Sequence, residues 1–271
     1  MTRVRGRELW RATRTPFGLG AERLRQAADG SIEVEAWGLG AAWLLDQAPA
    51  LAGALDDDTG FEPEQPLLRE LHRHHRGLRI GRTSAVVEAA WATVIEQKVA
   101  GAEAWAGWRA MIWALGEPAP GPLGLRLPPS PERVAQTPYE VFHRFGIERR
   151  RAETVRRVAA HASRLEETLD MPPDAARRRL QALPGMGPWS AAEVALVALG
   201  DPDAVSVGDF HLPNQVAWAL AGEARGDDER MLELLEPYRG HRARVLRLLE
   251  AERIYAPRRG PRMRLRDFRR M

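Results

Sequence analysis

Apolar residues recur at helical spacing along most of this chain, and its first forty residues carry short runs with partial alternation. Residues 8–15, 22–27 and 31–37 are short alternating runs broken by Pro16-Phe17-Gly18 and Asp29-Gly30, and Asp-Gly between two such runs is a hairpin signal. Residues 40–55 follow with apolar positions at helical spacing, interrupted at Pro49. Together these predict a small sheet with a helix on one face. The acidic stretch 56–66, punctuated by Gly60, Pro63 and Pro66, has the composition of a linker.

Beyond it the pattern is helical. Helices are predicted over 66–76, over 84–115 with a break at Gly101, in one or two short pieces over 131–145, and as one long element over 148–169. Others follow from Asp174 after the Pro172-Pro173 stop signal, and over 225–235 and 241–254. Trp91, Trp105, Trp108 and Trp113 are spaced to face mostly inward, and the Pro- and Gly-rich stretch 117–131 reads as a surface connection. No solenoid-length repeat interrupts this order. The fold class is therefore mostly α: a helical bundle over 66–271 preceded by a small α+β domain over 1–65.

Within the bundle, residues 180–212 stand out. An Arg- and Ala-rich helix leads to Pro184-Gly185-Met186-Gly187, and a second helix follows over 190–199, with Pro188 in the first turn where a missing N–H is tolerated. The helix-hairpin-helix so formed spans about 174–200. Its glycines allow positive φ and a close approach, and the turn leaves backbone N–H groups pointing outward where a helix dipole favours phosphate. A tight turn between two helices would look the same. Downstream, Asp209 follows Gly208 and opens an apolar-periodic segment over 210–220, which makes it a candidate helix N-cap.

Hairpin, second helix and aspartate in this order resemble the helix-hairpin-helix DNA glycosylase superfamily. The likeness extends from about Gly77 onward. Gly77-Leu78-Arg79-Ile80 and Val94-Ile95-Glu96-Gln97-Lys98-Val99 are similar to the opening helix of bacterial 3-methyladenine DNA glycosylase II. Residues 145–159 resemble its segment before the hairpin, and Pro237-Tyr238-Arg239 its late Pro-aromatic-Arg turn.

The resemblance implies a monofunctional enzyme of base excision repair that flips an alkylated, 3-methyladenine-like base out of duplex DNA and releases it by hydrolysis. Asp209 would be the catalytic carboxylate, kept charged by the helix dipole and stabilising the positive charge that builds on the sugar. Trp189 and Phe210 would line the base pocket. Gly185, Met186, Gly187, Gln97, Lys98 and Arg239 would contact DNA, with Gln97-Lys98 filling the gap left by the flipped base. A monovalent cation, Na+ or K+, would sit on the backbone carbonyls of Gln181, Leu183 and Met186.

Relatives that also cut the strand carry a lysine just after the hairpin, where this chain has Pro188-Trp189 and no lysine nearby in sequence. Glu193 and Arg247 stand where relatives have aromatic residues. They are expected to pair with each other in the pocket or to hydrogen-bond the base. Two other readings remain compatible with the sequence: a helix-hairpin-helix module that binds DNA without catalysis, and a helical enzyme or scaffold for small molecules.

Composition narrows the field. The chain has 271 residues, 44% hydrophobic and 28% charged, with no uninterrupted apolar run of bilayer length and no hydrophobic signal core, so a cytoplasmic monomer is expected. Its net charge is only +3, nearly all of its basic residues being arginines, yet these gather in runs at 72–76, 149–157, 177–179 and 258–270. The absence of cysteine excludes disulfides, thiolate chemistry and a cysteine-ligated iron–sulfur cluster, and the resemblance implies an enzyme that requires no cofactor. His72 and His75 share a helix face but have no third metal ligand at a matching spacing, and they read as part of a solvated basic face.

Overall fold

A computed structural model describes residues 2–257 of the chain. Its N-terminal strands β1 (Thr2–Arg5), β2 (Glu8–Thr15), β3 (Gly18–Gln26) and β4 (Ile32–Trp37) form an antiparallel meander in the order 1-2-3-4. Helix α1 (Ala41–Leu51) packs on β3 and β4, and Pro49 lies inside it rather than ending it. The β2–β3 register pairs Ala12 with Ala21 and Arg11 with Glu22. The latter two form a buried ion pair at 3.2 Å, and Arg11 also donates to the carbonyl of Thr83 at 2.7 Å.

The stretch 117–131 is not a surface connection. Leu123, Leu125 and Leu127 are buried against Ala12, Ala21, Trp10, Leu19 and Trp37 and complete the core under the sheet. Their spacing of two is the alternation of an extended segment, hidden in the sequence by flanking prolines and glycines. Residues 56–66 are likewise docked rather than free. Arg244 grips Asp56 with two bonds of 2.8 Å, both side chains being almost wholly buried, and Phe61 is buried in the bundle's second core.

The bundle comprises α2 (Pro66–His74), α3 (Val86–Glu96), α4 (Gly101–Leu115), α5 (Pro131–Gln136), α6 (Tyr139–Arg144), α7 (Arg149–Ala160), α8 (Ala162–Glu166), α9 (Pro173–Gln181), α10 (Pro188–Val194), α11 (Leu212–Ala221), α12 (Asp228–Leu235) and α13 (Arg242–Ala251). One core is centred on α3, whose Val86, Val87, Ala90, Trp91, Val94 and Ile95 are buried among α4, α7 and α10. The Trp91 indole N–H donates to the Val155 carbonyl at 3.0 Å, which lets so large a polar aromatic sit at 1% exposure. The second core joins α2, α11, α12 and α13 through Leu68, Leu71, Leu212, Val216, Met231, Leu235 and Leu249.

Two further expectations are corrected. The element over 148–169 is three pieces, α7, α8 and a 3-10 turn (Glu167–Asp170), because the chain leaves helical geometry at His161. Trp105 and Trp113 are more than half exposed; their faces are covered instead by the guanidinium groups of Arg109 and Arg126, 5.3 and 5.2 Å from the ring centroids. The arginine run at 258–270 lies outside the described residues. Among the described residues, no helix is long and apolar enough to cross a membrane.

Candidate active site and nucleic-acid interface

Helices α9 and α10 flank the hairpin, and α10 continues as a π-helical turn over Ala195–Leu199. Gly185 has φ of +97°, and a Cβ there would come within 2.3 Å of Thr154 Oγ1 on α7, so this glycine is what lets the turn lie flat on α7. Arg157, one turn further along α7, donates to the Pro184 carbonyl at 2.6 Å. Gly187, the N-cap of α10, is exposed, and a Cβ there would meet nothing within 4 Å. The hairpin's outer surface is thus backbone at a helix start. The Met186 side chain is buried in the α3-centred core, which leaves only backbone of this residue at the hairpin surface.

Asp209 sits in the loop between the π turn and α11. Its Oδ1 accepts the backbone N–H groups of His211 at 2.6 Å and Leu212 at 2.8 Å, and its Oδ2 accepts the Trp189 indole N–H at 3.1 Å. Regular helix begins at Leu212 rather than at 210, but the bonds to the second and third following N–H groups are those of an N-cap. The carboxylate is half-buried. Gly208, at φ +90°, turns the chain into the site, and the Asp228 carboxylate accepts its N–H at 3.1 Å.

Two more carboxylates, Glu96 and Glu193, lie close enough to feel the charge of this aspartate. Burial pushes the Glu193 carboxyl up from its ordinary value, and the charges of Glu96, Asp209 and Glu250 add to the rise, against a hydrogen bond from the Ser206 hydroxyl. Burial, with Asp209 nearby, raises Glu96 as well. The expected Glu193–Arg247 pair is not formed. Arg247 is exposed and bonds Glu250 at 2.7 Å, one turn along α13, while Glu193 faces inward to Ser206. Phe210 is 84% exposed, edge-on to His211 at 5.0 Å, so it rims the site rather than walling it.

The turn between α3 and α4 reaches the hairpin from the other side. Gln97 Nε2 donates to the Gly185 carbonyl at 2.9 Å and to Ser190 Oγ at 2.8 Å. Lys98 follows at φ +57°, exposed at the tip of the turn. It is the only lysine in the chain. Distant from the hairpin in sequence, it is brought beside it by Gln97. Arg239 is exposed on the 3-10 turn Glu236–Tyr238 and pairs with Glu236 at 2.7 Å. Of the three carbonyls expected to bind a cation, that of Leu183 accepts the Met186 N–H at 2.9 Å and keeps a second lone pair.

The basic runs are less available than their sequence suggests. Arg151 is buried and donates to the Ile95 carbonyl at 2.5 Å, Arg177 pairs with Asp174 and Asp201, and Arg179 pairs with Glu167. Glu250 and Ser206 carry no sequence signal of a role here, whereas Arg157 lies in the basic run 149–157 and Ser190 opens the helix after the hairpin. Glu96 likewise lies next to the Gln97-Lys98 turn.

No protein-family model matches the chain. It is 31% identical over 163 residues to the probable bifunctional transcriptional activator/DNA repair enzyme AlkA of two Mycobacterium tuberculosis strains. The match covers 59% of this chain and 32% of those proteins, so the chain spans about a third of the length of the curated relatives it matches. A 3-methyladenine DNA glycosylase from Archaeoglobus fulgidus superposes with a TM-score of 0.79 over 93% of this chain and 89% of its own, at 21% identity. An 8-oxoguanine glycosylase/lyase of Clostridium acetobutylicum in complex with double-stranded DNA gives 0.68 at 12% identity, covering 93% of this chain and 98% of that one. The Schizosaccharomyces pombe 3-methyladenine DNA glycosylase Mag1 in complex with abasic DNA gives 0.59 at 17%, covering 79% and 100%. At these identities the superpositions establish a shared fold.

Proposed function

We propose that the chain, which has the fold of the glycosylases it superposes on, belongs to the helix-hairpin-helix DNA glycosylase superfamily and is a monofunctional DNA glycosylase releasing alkylated bases from duplex DNA. The observation that carries this reading is the arrangement of Asp209. One carboxylate oxygen is tied down by two backbone N–H groups, the other faces the indole that follows the hairpin, and the whole is half-buried beside exposed backbone at a helix start. A carboxylate so oriented can stabilise positive charge on C1′ without reorganising as the base departs. The hairpin amides grip the phosphate nearby.

The surrounding acids favour a particular class of lesion. The charge of Asp209 acts on both Glu96 and Glu193, so a site holding these acids favours a base made cationic by alkylation, and Trp189 offers a face for it. Such a base is already a good leaving group. The Pro188-Trp189 pair, where a strand-cutting relative would need a lysine, supports hydrolysis by water without lyase chemistry. Carbonyl donors in a tight turn suit a hard monovalent cation; Gln181, Leu183 and Met186 would hold it, and it would add positive charge facing the DNA phosphate.

The test is incubation of the full chain with duplexes each carrying one defined lesion, then heating in alkali to cut at abasic sites. Strand breaks at an alkylated purine, dependent on alkali and absent with Asp209→Asn, are the expected result. Damaged-DNA binding with no base release from any alkylated duplex would refute the enzyme and favour a binding module.

A further inference from the structure

Helices α2 and α13 end side by side, and their ends gather three side chains that the proposed DNA chemistry does not use. His75 Nε2 lies 2.7 Å and His74 Nδ1 3.6 Å from the same oxygen, Glu252 Oε2, and the three potential ligand atoms all fall within 4.8 Å of one another. We propose that His74, His75 and Glu252 form a zinc site that fastens the end of α13 to the end of α2.

The local backbone explains how consecutive residues come to share a ligand. Within a helix, neighbouring side chains diverge by roughly 100°, but α2 stops at His74, and His75 takes φ −104° and ψ 44° while its N–H still bonds the Leu71 carbonyl at 2.8 Å. The two imidazoles therefore lie stacked, with centroids 4.9 Å apart and planes 16° from parallel. His72, the partner suggested by an i, i+3 reading, turns the other way and meets the Phe61 ring edge-on at 5.1 Å. Glu252 is the C-cap of α13, and Arg253 beyond it has φ +56°, so the chain turns at the site. Some 177 positions separate Glu252 from His75, which is why no spacing rule finds it.

Two neutral imidazole nitrogens and one carboxylate oxygen are a donor set for zinc, with water in the fourth position. In a tetrahedral site with bonds of about 2.1 Å, ligand atoms stand about 3.4 Å apart. The two histidine–glutamate separations, 3.6 and 2.7 Å, bracket that figure and the histidine–histidine one lies within 4.8 Å, so the more exposed His74 and Glu252 side chains need to close in by rotation. Metal-free, the His75–Glu252 hydrogen bond holds the arrangement.

The test uses metal-stripped full-length protein titrated with zinc chloride, read by calorimetry and by thermal unfolding. One zinc per chain is expected. At about a hundredfold excess over Kd it should raise the unfolding midpoint by about 5 °C or more, because it binds the folded state. His75→Ala and Glu252→Gln should each weaken binding about tenfold or more and abolish the shift. Glu252→Gln is isosteric and exposed, which keeps folding separate from binding, and circular dichroism of each variant checks it. His72→Ala should bind as the parent does, and magnesium chloride should give no comparable site. Absence of one-to-one binding, equal loss with His72→Ala, or unchanged affinity in Glu252→Gln would overturn the proposal. No DNA enters the measurement, so its failure leaves the glycosylase reading untouched.

Discussion

Replacing Asp209 with asparagine removes a charge while keeping most of a cap, so stability and chemistry should part company. The asparagine carbonyl can still accept the N–H groups of His211 and Leu212, and asparagine is as good an N-cap as aspartate. Its amide, however, points a donor at the Trp189 indole N–H and forfeits that 3.1 Å bond, worth about 1 kcal/mol. In a chain of this size that lowers the unfolding midpoint by about 2–4 °C. Asp209→Ala loses the cap as well, for a total of about 2 kcal/mol. Base release should respond differently. Withdrawing one preorganised charge from a developing ionic centre costs about 3 kcal/mol or more, a hundredfold or greater drop in single-turnover rate, and alanine and asparagine should lose it alike. Single-turnover base release on an alkylated duplex, with denaturant melts of both variants, measures the two effects separately. If Asp209→Asn keeps its rate within about tenfold of the parent, or if rate tracks stability across both variants, the reasoning fails.

The two hairpin glycines should behave oppositely. Gly185→Ala forces a positive φ on alanine and drives a Cβ into Thr154, so it should destabilise by about 1–3 kcal/mol in denaturant melts. Gly187→Ala should melt like the parent but bind duplex DNA several-fold more weakly by fluorescence anisotropy. Glu193, raised by burial, holds its proton in the folded chain to higher pH than in the unfolded one, so stability falls as pH rises through and above the ordinary glutamate range. Glu193→Gln should therefore be more stable than the parent at neutral pH, with the advantage vanishing at about pH 4, as urea melts at the two pH values would record. Arg244→Ala strands the buried Asp56 carboxylate and should cost about 3–5 kcal/mol in the same melts. Borohydride added during turnover should trap no covalent DNA adduct; an adduct mapped to Lys98 would refute a purely hydrolytic enzyme.

The longer helices were legible because their apolar positions repeat at 3.6 residues over ten or more positions, and shorter ones through a Pro or Gly at one end, as at Pro188. The hairpin was legible for the same local reason. What escaped was the packing of distant segments. Leu123, Leu125 and Leu127 alternate as clearly as any strand, but the sheet they cover lies a hundred residues upstream, and no local rule says which face awaits them. The tryptophans of α4 misled because a guanidinium can cover an aromatic face as a core does, leaving the ring exposed.

The site itself follows the same division. Asp209 is legible through Gly208 and the helix after it, all within a few residues, whereas its chemical setting is assembled from two other segments: Trp189 and Glu193 of α10, and Glu96 at the end of α3. Glu193 and Arg247 were noticed in sequence because each breaks an aromatic pattern, but whether two such residues meet depends on how α10 and α13 are rotated. Here α13 turns Arg247 outward to Glu250 while α10 turns Glu193 inward to Ser206. The pocket thereby keeps a buried acid without a cationic partner. Wherever the acids around Asp209 are ionised, they should draw a cationic lesion in preference to a neutral one of the same shape. Comparing release of a methylated cationic purine with that of its uncharged isostere at low and high salt would expose the preference. Equal rates at both salts would show that the acids around Asp209 do not act on the base.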